Sequence, residues 1–129
     1  MKKSHMRLAI RMAENSPSRF RLGAVLAYRN QVMSTGHNNM ARTHPLQQKY
    51  AKDRSFALGL HAEVDACLGI TKDDLLGADI YVARILKNGR VAMAKPCAVC
   101  VKFMLDVGIK RVYYTREDGN MEALWNRKH

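Results

Sequence analysis

Two short segments, well apart in the chain, must meet in any fold that this sequence adopts: His61-Ala62-Glu63 and Pro96-Cys97-Ala98-Val99-Cys100. One histidine and two cysteines are three ligands of the kind a tetrahedral Zn²⁺ takes. With only three protein ligands the fourth position is left to water, which separates a catalytic zinc site from a closed structural one. Glu63 would stand beside that water as a proton carrier. Coordination brings the pKa of a water towards neutrality, and a nearby carboxylate can take its proton and pass it to a leaving group. The combination is suited to hydrolytic attack on an electrophilic carbon.

His-x-Glu followed by Pro-Cys-x-x-Cys resembles the signature of the zinc nucleobase deaminases, in which the glutamate is acid and base rather than ligand. The chain is identified on these residues as a member of the cytidine deaminase-like superfamily, similar to its small bacterial or phage-type domains, from about Gly23 to about Thr115. A Cys-x-x-Cys alone is as often structural zinc or a redox pair, and a His-Ala-Glu alone is more often a helix start. Both in this order, with the proline in place and a strand-like segment between them, are specific. The resemblance implies an α/β fold of three layers, α/β/α, with a mixed sheet of about five strands and the zinc site at the N-termini of two helices. It also implies that His61, Cys97 and Cys100 hold the Zn²⁺ and that Glu63 is catalytic.

With 129 residues, the chain (1–129) is expected to be a single domain with enough core to need no disulfides. Of three cysteines the metal claims two, so a reducing, cytoplasmic compartment fits. Cys67 is left as a small core residue. No apolar run approaches the roughly 20 residues of a membrane span. Lys and Arg exceed Asp and Glu by 22 to 11, a net charge of +11 that favours a polyanionic partner, nucleotide or single-stranded nucleic acid.

Apolar residues at helical spacing predict a first helix from about Lys3 to Asn15. Leu22–Tyr28 and Val32–Asn38 read as two strands of a hairpin turning at Arg29-Asn30-Gln31. In the resembling family the first hairpin ends in Gly-x-Asn, whose amide contacts sugar or base, so Asn38 is a substrate-binding candidate; by itself it would be a turn residue capping the strand. Residues 39–59 show no clean period. They mix basic and aromatic side chains, among them Arg42, Thr43, His44, Lys49, Tyr50, Lys52 and Arg54, with a short helix over Leu46–Ala51. Lying just before the zinc histidine, this segment is the expected substrate rim: Arg42 for phosphate, and Tyr50 or His44 to stack on a base.

A buried helix is predicted over His61–Ile70, and another over Cys97–Val107 opened by Pro96 and ended by Gly108. Their positive ends would face the metal and favour the thiolates. The first turn at Ala62 and the backbone near Pro96 are natural partners for a substrate amino group. Ala78–Ile85 and Lys110–Thr115 read as strands joined by a helical crossover, hence parallel. Asp118-Gly119 then signals a hairpin, so that the last strand returns antiparallel; a terminal helix is the competitor. By resemblance, an antiparallel last strand goes with the cytidine deaminases and a parallel one with the tRNA-adenosine and polynucleotide branch.

The expected reaction is therefore hydrolytic conversion of cytosine to uracil in a nucleotide or single-stranded nucleic acid. The alternatives are adenosine-to-inosine deamination in RNA and, from a different class, a non-catalytic zinc module that binds nucleic acid. A fourth protein ligand, His44 or His37, would mark the last of these. Members of the superfamily are often dimers or tetramers, which makes a homo-oligomer the expected assembly, with no membrane partner.

Overall fold

A computed structural model describes residues 2–42, 44–50 and 59–126. Thr43, Lys52 and Arg54 of the expected rim, and Ala51 at the end of its short helix, lie outside the described residues.

Helix α1 (Lys3–Glu14) is followed by the hairpin β1 (Arg21–Tyr28) and β2 (Gln31–His37). Three short helices come next, α2 (Pro45–Tyr50), α3 (Ala62–Cys67) and α4 (Lys72–Leu75), then β3 (Asp79–Ile85) and β4 (Val91–Ala92). Helix α5 (Ala98–Asp106), β5 (Arg111–Thr115) and β6 (Met121–Asn126) complete the described chain. The strands run β2-β1-β3-β5-β6, with β4 attached to β3. Strand β3 is parallel to β5 and antiparallel to β1, and β6 returns antiparallel to β5, with Val112 opposite Trp125. The sheet is thus mixed, and has six strands among the described residues where about five were expected. The addition is β4, whose two residues pair with Arg84 and Ile85 and are too few to carry a periodic signal.

Strand alternation sorts side chains to the two faces of the sheet. Val25, Ala27, Tyr81, Ala83 and Tyr113 meet Met6 and Ala9 of α1. Ala24, Leu26, Ile80, Val82 and Val112 form the larger core on the other face, with Val64 and Ala66 of α3 and Phe103 and Met104 of α5. Helices on both faces make the three layers. Cys67 is in this second core, and burial pushes its thiol up to about 12. No described helix is long and apolar enough to cross a membrane.

Two glycines set how closely the layers approach. A Cβ on Gly23 would stand 2.2 Å from the Ala9 carbonyl oxygen, and one on Gly36 would stand 2.5 Å from the Ala66 nitrogen. Strand β2 therefore lies backbone to backbone against α3. The second contact is tied by Asp65, whose carboxylate accepts the His37 N–H at 3.0 Å. Helix α3 is shorter than predicted: Leu68 is already extended, with ψ 133°, and Gly69 is left-handed at φ 80°, so the helix stops at Cys67 instead of Ile70. Helix α4 is capped by Thr71, whose hydroxyl accepts the Asp74 N–H at 3.2 Å.

Candidate zinc site

His61 and Cys97 occupy equivalent places, each the N-cap of a helix, with extended backbone (ψ 149° and 170°). An N-cap side chain ordinarily accepts a hydrogen bond from the first turn. Neither makes such a bond here. Their carbonyls accept the first helical bonds, from Asp65 and Val101 at 3.0 and 2.9 Å. The side chains meet: His61 Nδ1 is 3.1 Å from Cys100 Sγ and 3.4 Å from Cys97 Sγ. All three donor atoms lie within 4.8 Å of one another. Tetrahedral zinc with ordinary bond lengths would hold its nitrogen and sulfur ligands roughly 3.6 Å apart, so the set fits one such ion. Among the described residues no fourth side chain joins the set. His37 Nδ1 is 3.2 Å from the Asn38 carbonyl, and His44 Nδ1 accepts the Leu46 N–H at 3.0 Å as the start of α2. The closed site that would mark a purely structural metal is not formed by either histidine.

Cys97 is drawn down to about 4, chiefly by the hydrogen bond with Cys100, whose own thiol is raised by the same contact and by burial. The pair gives up its first proton easily and holds the second, which is how two neighbouring thiols share one charge. Glu63 is 4 % exposed, and burial raises its carboxyl above the ordinary 4.5, against the opposing influence of His61. A buried carboxyl of this kind suits a group that must both take and give a proton near neutrality.

A cavity of about 190 Å³ opens onto His61, Glu63 and Cys97. Its walls include Ala62, Pro96 and Asn38. Asn38 is also a structural pin: its Oδ1 accepts from Ser16 Oγ (2.6 Å) and Leu22 N–H (2.9 Å), and its Nδ2 donates to the Phe20 carbonyl at 2.5 Å. The other three candidates are elsewhere. Arg42 is exposed and does not line the cavity. His44 caps α2, and Tyr50 packs on Phe103 and donates to Asp106, beside a different groove. Helix α2 turns that side chain towards α5 and away from the metal.

The walls that sequence reasoning passed over are Phe20, Leu22, Met40, Leu60 and Lys95. Phe20 is 56 % exposed, with the Arg84 guanidinium 5.1 Å above its ring. The other omission is Gln47. Fully buried, it accepts the His61 N–H at 2.7 Å and donates to the Gly59 carbonyl at 2.5 Å, so it holds the loop that presents the zinc histidine. A polar residue in an aperiodic segment gave no signal; only its closeness to the His61 motif hinted at it. Gln47→Leu leaves both backbone groups buried and unpaired, each at about 1–3 kcal/mol. Zinc affinity is expected to fall roughly 10–100-fold, the usual cost of losing a group that orients a ligand, as read by competition with a chromogenic chelator.

A mixed sheet with a His/Cys/Cys cluster at two helix N-termini defines a zinc-dependent deaminase of the cytidine deaminase-like superfamily. The family model of the cytidine and deoxycytidylate deaminase zinc-binding region matches residues 1–116, and the chain belongs to that family. It is 27% identical to the deoxycytidylate deaminase of Mycobacterium phage D29 over 113 residues, which are 77% of this chain and 80% of that protein. With an uncharacterized deaminase of the luxG 3' region of Aliivibrio fischeri it shares 30% identity over 114 residues, 83% of this chain and 66% of the relative. Among solved structures, cytidine deaminase from Burkholderia pseudomallei superposes with a TM-score of 0.65 at 20% identity, covering 95% of this chain and 91% of that one. The dCMP deaminase of cyanophage S-TIM5 superposes at 0.62 and 22%, covering 90% and 86%. The protein is an enzyme of the cytidine/deoxycytidylate deaminase type, and Zn²⁺ is its cofactor.

Proposed function

We propose that the chain converts cytosine to uracil in a pyrimidine mononucleotide, with Glu63 moving the protons. The observation that carries this is the buried Glu63 carboxyl beside the His61/Cys97/Cys100 cluster at the cavity. Zn²⁺ held by His61, Cys97 and Cys100 would supply a water acidified enough to act as a nucleophile near neutral pH. Glu63 would take one proton from the attacking water and deliver it to the ring nitrogen next to the amino-bearing carbon, then take the remaining hydroxyl proton of the adduct and pass it to the amino nitrogen, which leaves as ammonia as the C–N bond breaks and the carbonyl forms. Asn38, Ala62 and Pro96 shape the wall around the base.

Three observations favour cytosine in a mononucleotide. Strand β6 is antiparallel to β5, the arrangement associated with the cytidine branch. At about 190 Å³ the cavity is below the ~300–1,000 Å³ of drug-sized sites, which suits one base with part of its sugar. The phage D29 relative is a deoxycytidylate deaminase, and the S-TIM5 enzyme has been solved with dCMP and dUMP. Lys95 is the basic side chain on the cavity wall available to a phosphate.

The test is ammonia release and product identity across cytidine, deoxycytidine, dCMP, single-stranded DNA, single-stranded RNA and a tRNA anticodon stem. The expected result is uracil formation with kcat/KM on dCMP at least about tenfold above deoxycytidine, the value of one charge-assisted contact. Faster turnover of a single strand than of dCMP would overturn the mononucleotide reading, and hypoxanthine from the tRNA stem would overturn cytosine.

A further inference from the structure

Strand β3 presents Ile80, Val82 and Arg84 at every second residue, hence on one face of the sheet. The first two are fully buried in the core with α3 and α5. Arg84 continues the same row as a half-buried cation, opposite Leu22 of β1, and Leu22 is a wall of the zinc cavity. The apolar row therefore ends in a guanidinium at the edge of the site.

The Arg84 backbone is held from three sides. Strand β1 pairs with it at Leu22 and β4 at Ala92. Its N–H also donates to Thr115 Oγ1 at 3.3 Å, and that buried hydroxyl donates in turn to the Ala92 carbonyl at 2.7 Å. The two residues of β4 thus close the edge of β3 beyond Val82, where its pairing with β5 stops.

The side chain reaches over Phe20, with the guanidinium carbon 5.1 Å from the ring centroid. Among the described residues the ion pairs are Arg111–Asp79 and Arg116–Asp118, and the Arg84 guanidinium makes no hydrogen bond. On its outer side a cavity of about 320 Å³ is lined by Arg84 and Arg90 against one exposed carboxylate, Glu117. A half-buried guanidinium held on an aromatic ring without an acidic partner keeps its fork of N–H donors for an oxyanion. Pyrimidine geometry brings one there. The sugar-bearing nitrogen lies across the ring from the amino-bearing carbon, so with that carbon at the His61/Cys97/Cys100 cluster the sugar points to the mouth of the cavity, where the exposed Phe20 stands.

We propose that Arg84 holds the phosphate of the nucleotide substrate and is the residue by which the enzyme tells a nucleotide from a nucleoside. The inference rests on the mononucleotide reading above. Lys95, on the cavity wall itself, is exposed and offers a point charge on a flexible stem, which makes it the lesser contact.

The test is kcat/KM on dCMP and on deoxycytidine for the zinc-loaded wild type, Arg84→Gln, Lys95→Gln and Arg7→Gln, the last an equal loss of charge at an exposed position of α1 on the other face of the sheet. The ratio of dCMP to deoxycytidine is expected to fall at least about tenfold in Arg84→Gln, through KM on dCMP, and by less in Lys95→Gln. In Arg7→Gln it should move less than about twofold, a distant exposed charge being screened. Poor folding lowers both rates alike and cannot produce that change. Arg84→Lys, which keeps the charge without the fork, should give an intermediate ratio. A wild-type preference for dCMP that survives in Arg84→Gln, or that falls as far in Lys95→Gln or Arg7→Gln, would overturn the role of Arg84 and leave the mononucleotide reading standing. No preference in the wild type would overturn both.

Discussion

Glu63→Gln is expected to lower kcat by roughly 10²–10⁴-fold while one zinc per chain is retained, because the proton carrier is lost and no ligand is touched. Metal analysis beside an ammonia-release assay checks both halves. A variant that lost zinc together with activity would assign Glu63 to holding the site. The same substitution has an opposite effect on stability. Burial raises the Glu63 carboxyl above 4.5, so the folded metal-free protein binds this proton more tightly than the unfolded chain does. Stability from this group is full below the unfolded value and declines as pH rises from 4.5 through the raised folded value. Glutamine has no proton to lose. The melting temperature of chelated Glu63→Gln should therefore exceed that of the chelated wild type, by a margin that grows from acid to mildly alkaline pH. An equal or lower value at alkaline pH would refute the burial argument.

Removal of the metal is the second large effect. Cys100→Ala takes out a ligand that is 0 % exposed and whose sulfur lies 3.1 Å from His61 Nδ1. Zinc content is expected to fall below about a tenth per chain at micromolar protein, two ligands being too few for a stable site. Chelation of the wild type should have the same thermal consequence. A metal present at a thousand times its dissociation constant stabilises by about 4 kcal/mol, which for a domain of this size is on the order of 10–20 °C in Tm. The ligands must be deprotonated to bind, so affinity weakens as pH falls, and zinc added to the apoprotein should release protons into weakly buffered solution. An unchanged Tm on chelation would mean that the fold does not use the metal.

The metal-binding cluster was legible because its ligands are chemically rare and regularly spaced, and because proline and an apolar run mark the helix that carries each part. Strand β6 was legible through Asp118-Gly119, whose backbone preference selects a hairpin. What composition does not carry is which way a side chain points. His44, Tyr50 and Arg42 have the right chemistry for a substrate rim, but α2 turns Tyr50 to α5 and uses His44 as its own cap. Gln47 and Lys95 were missed for the converse reason. Their positions follow from tertiary contacts between segments, such as the bond from Gln47 to His61 across 14 residues, that no local pattern announces.

The meeting of His61 with Cys97 has a further consequence for the chain as a polymer. It joins residues 36 apart in sequence, and the loop so closed contains α3, α4, β3 and β4. A cross-link around a loop of that length removes roughly 4 kcal/mol of conformational freedom from the unfolded ensemble on the chain-entropy estimate used for disulfides. Zinc held through unfolding would thus act as a reversible clasp on the middle of the chain, leaving α1 and the first hairpin outside it, and refolding of the clasped chain should be faster than that of the stripped one.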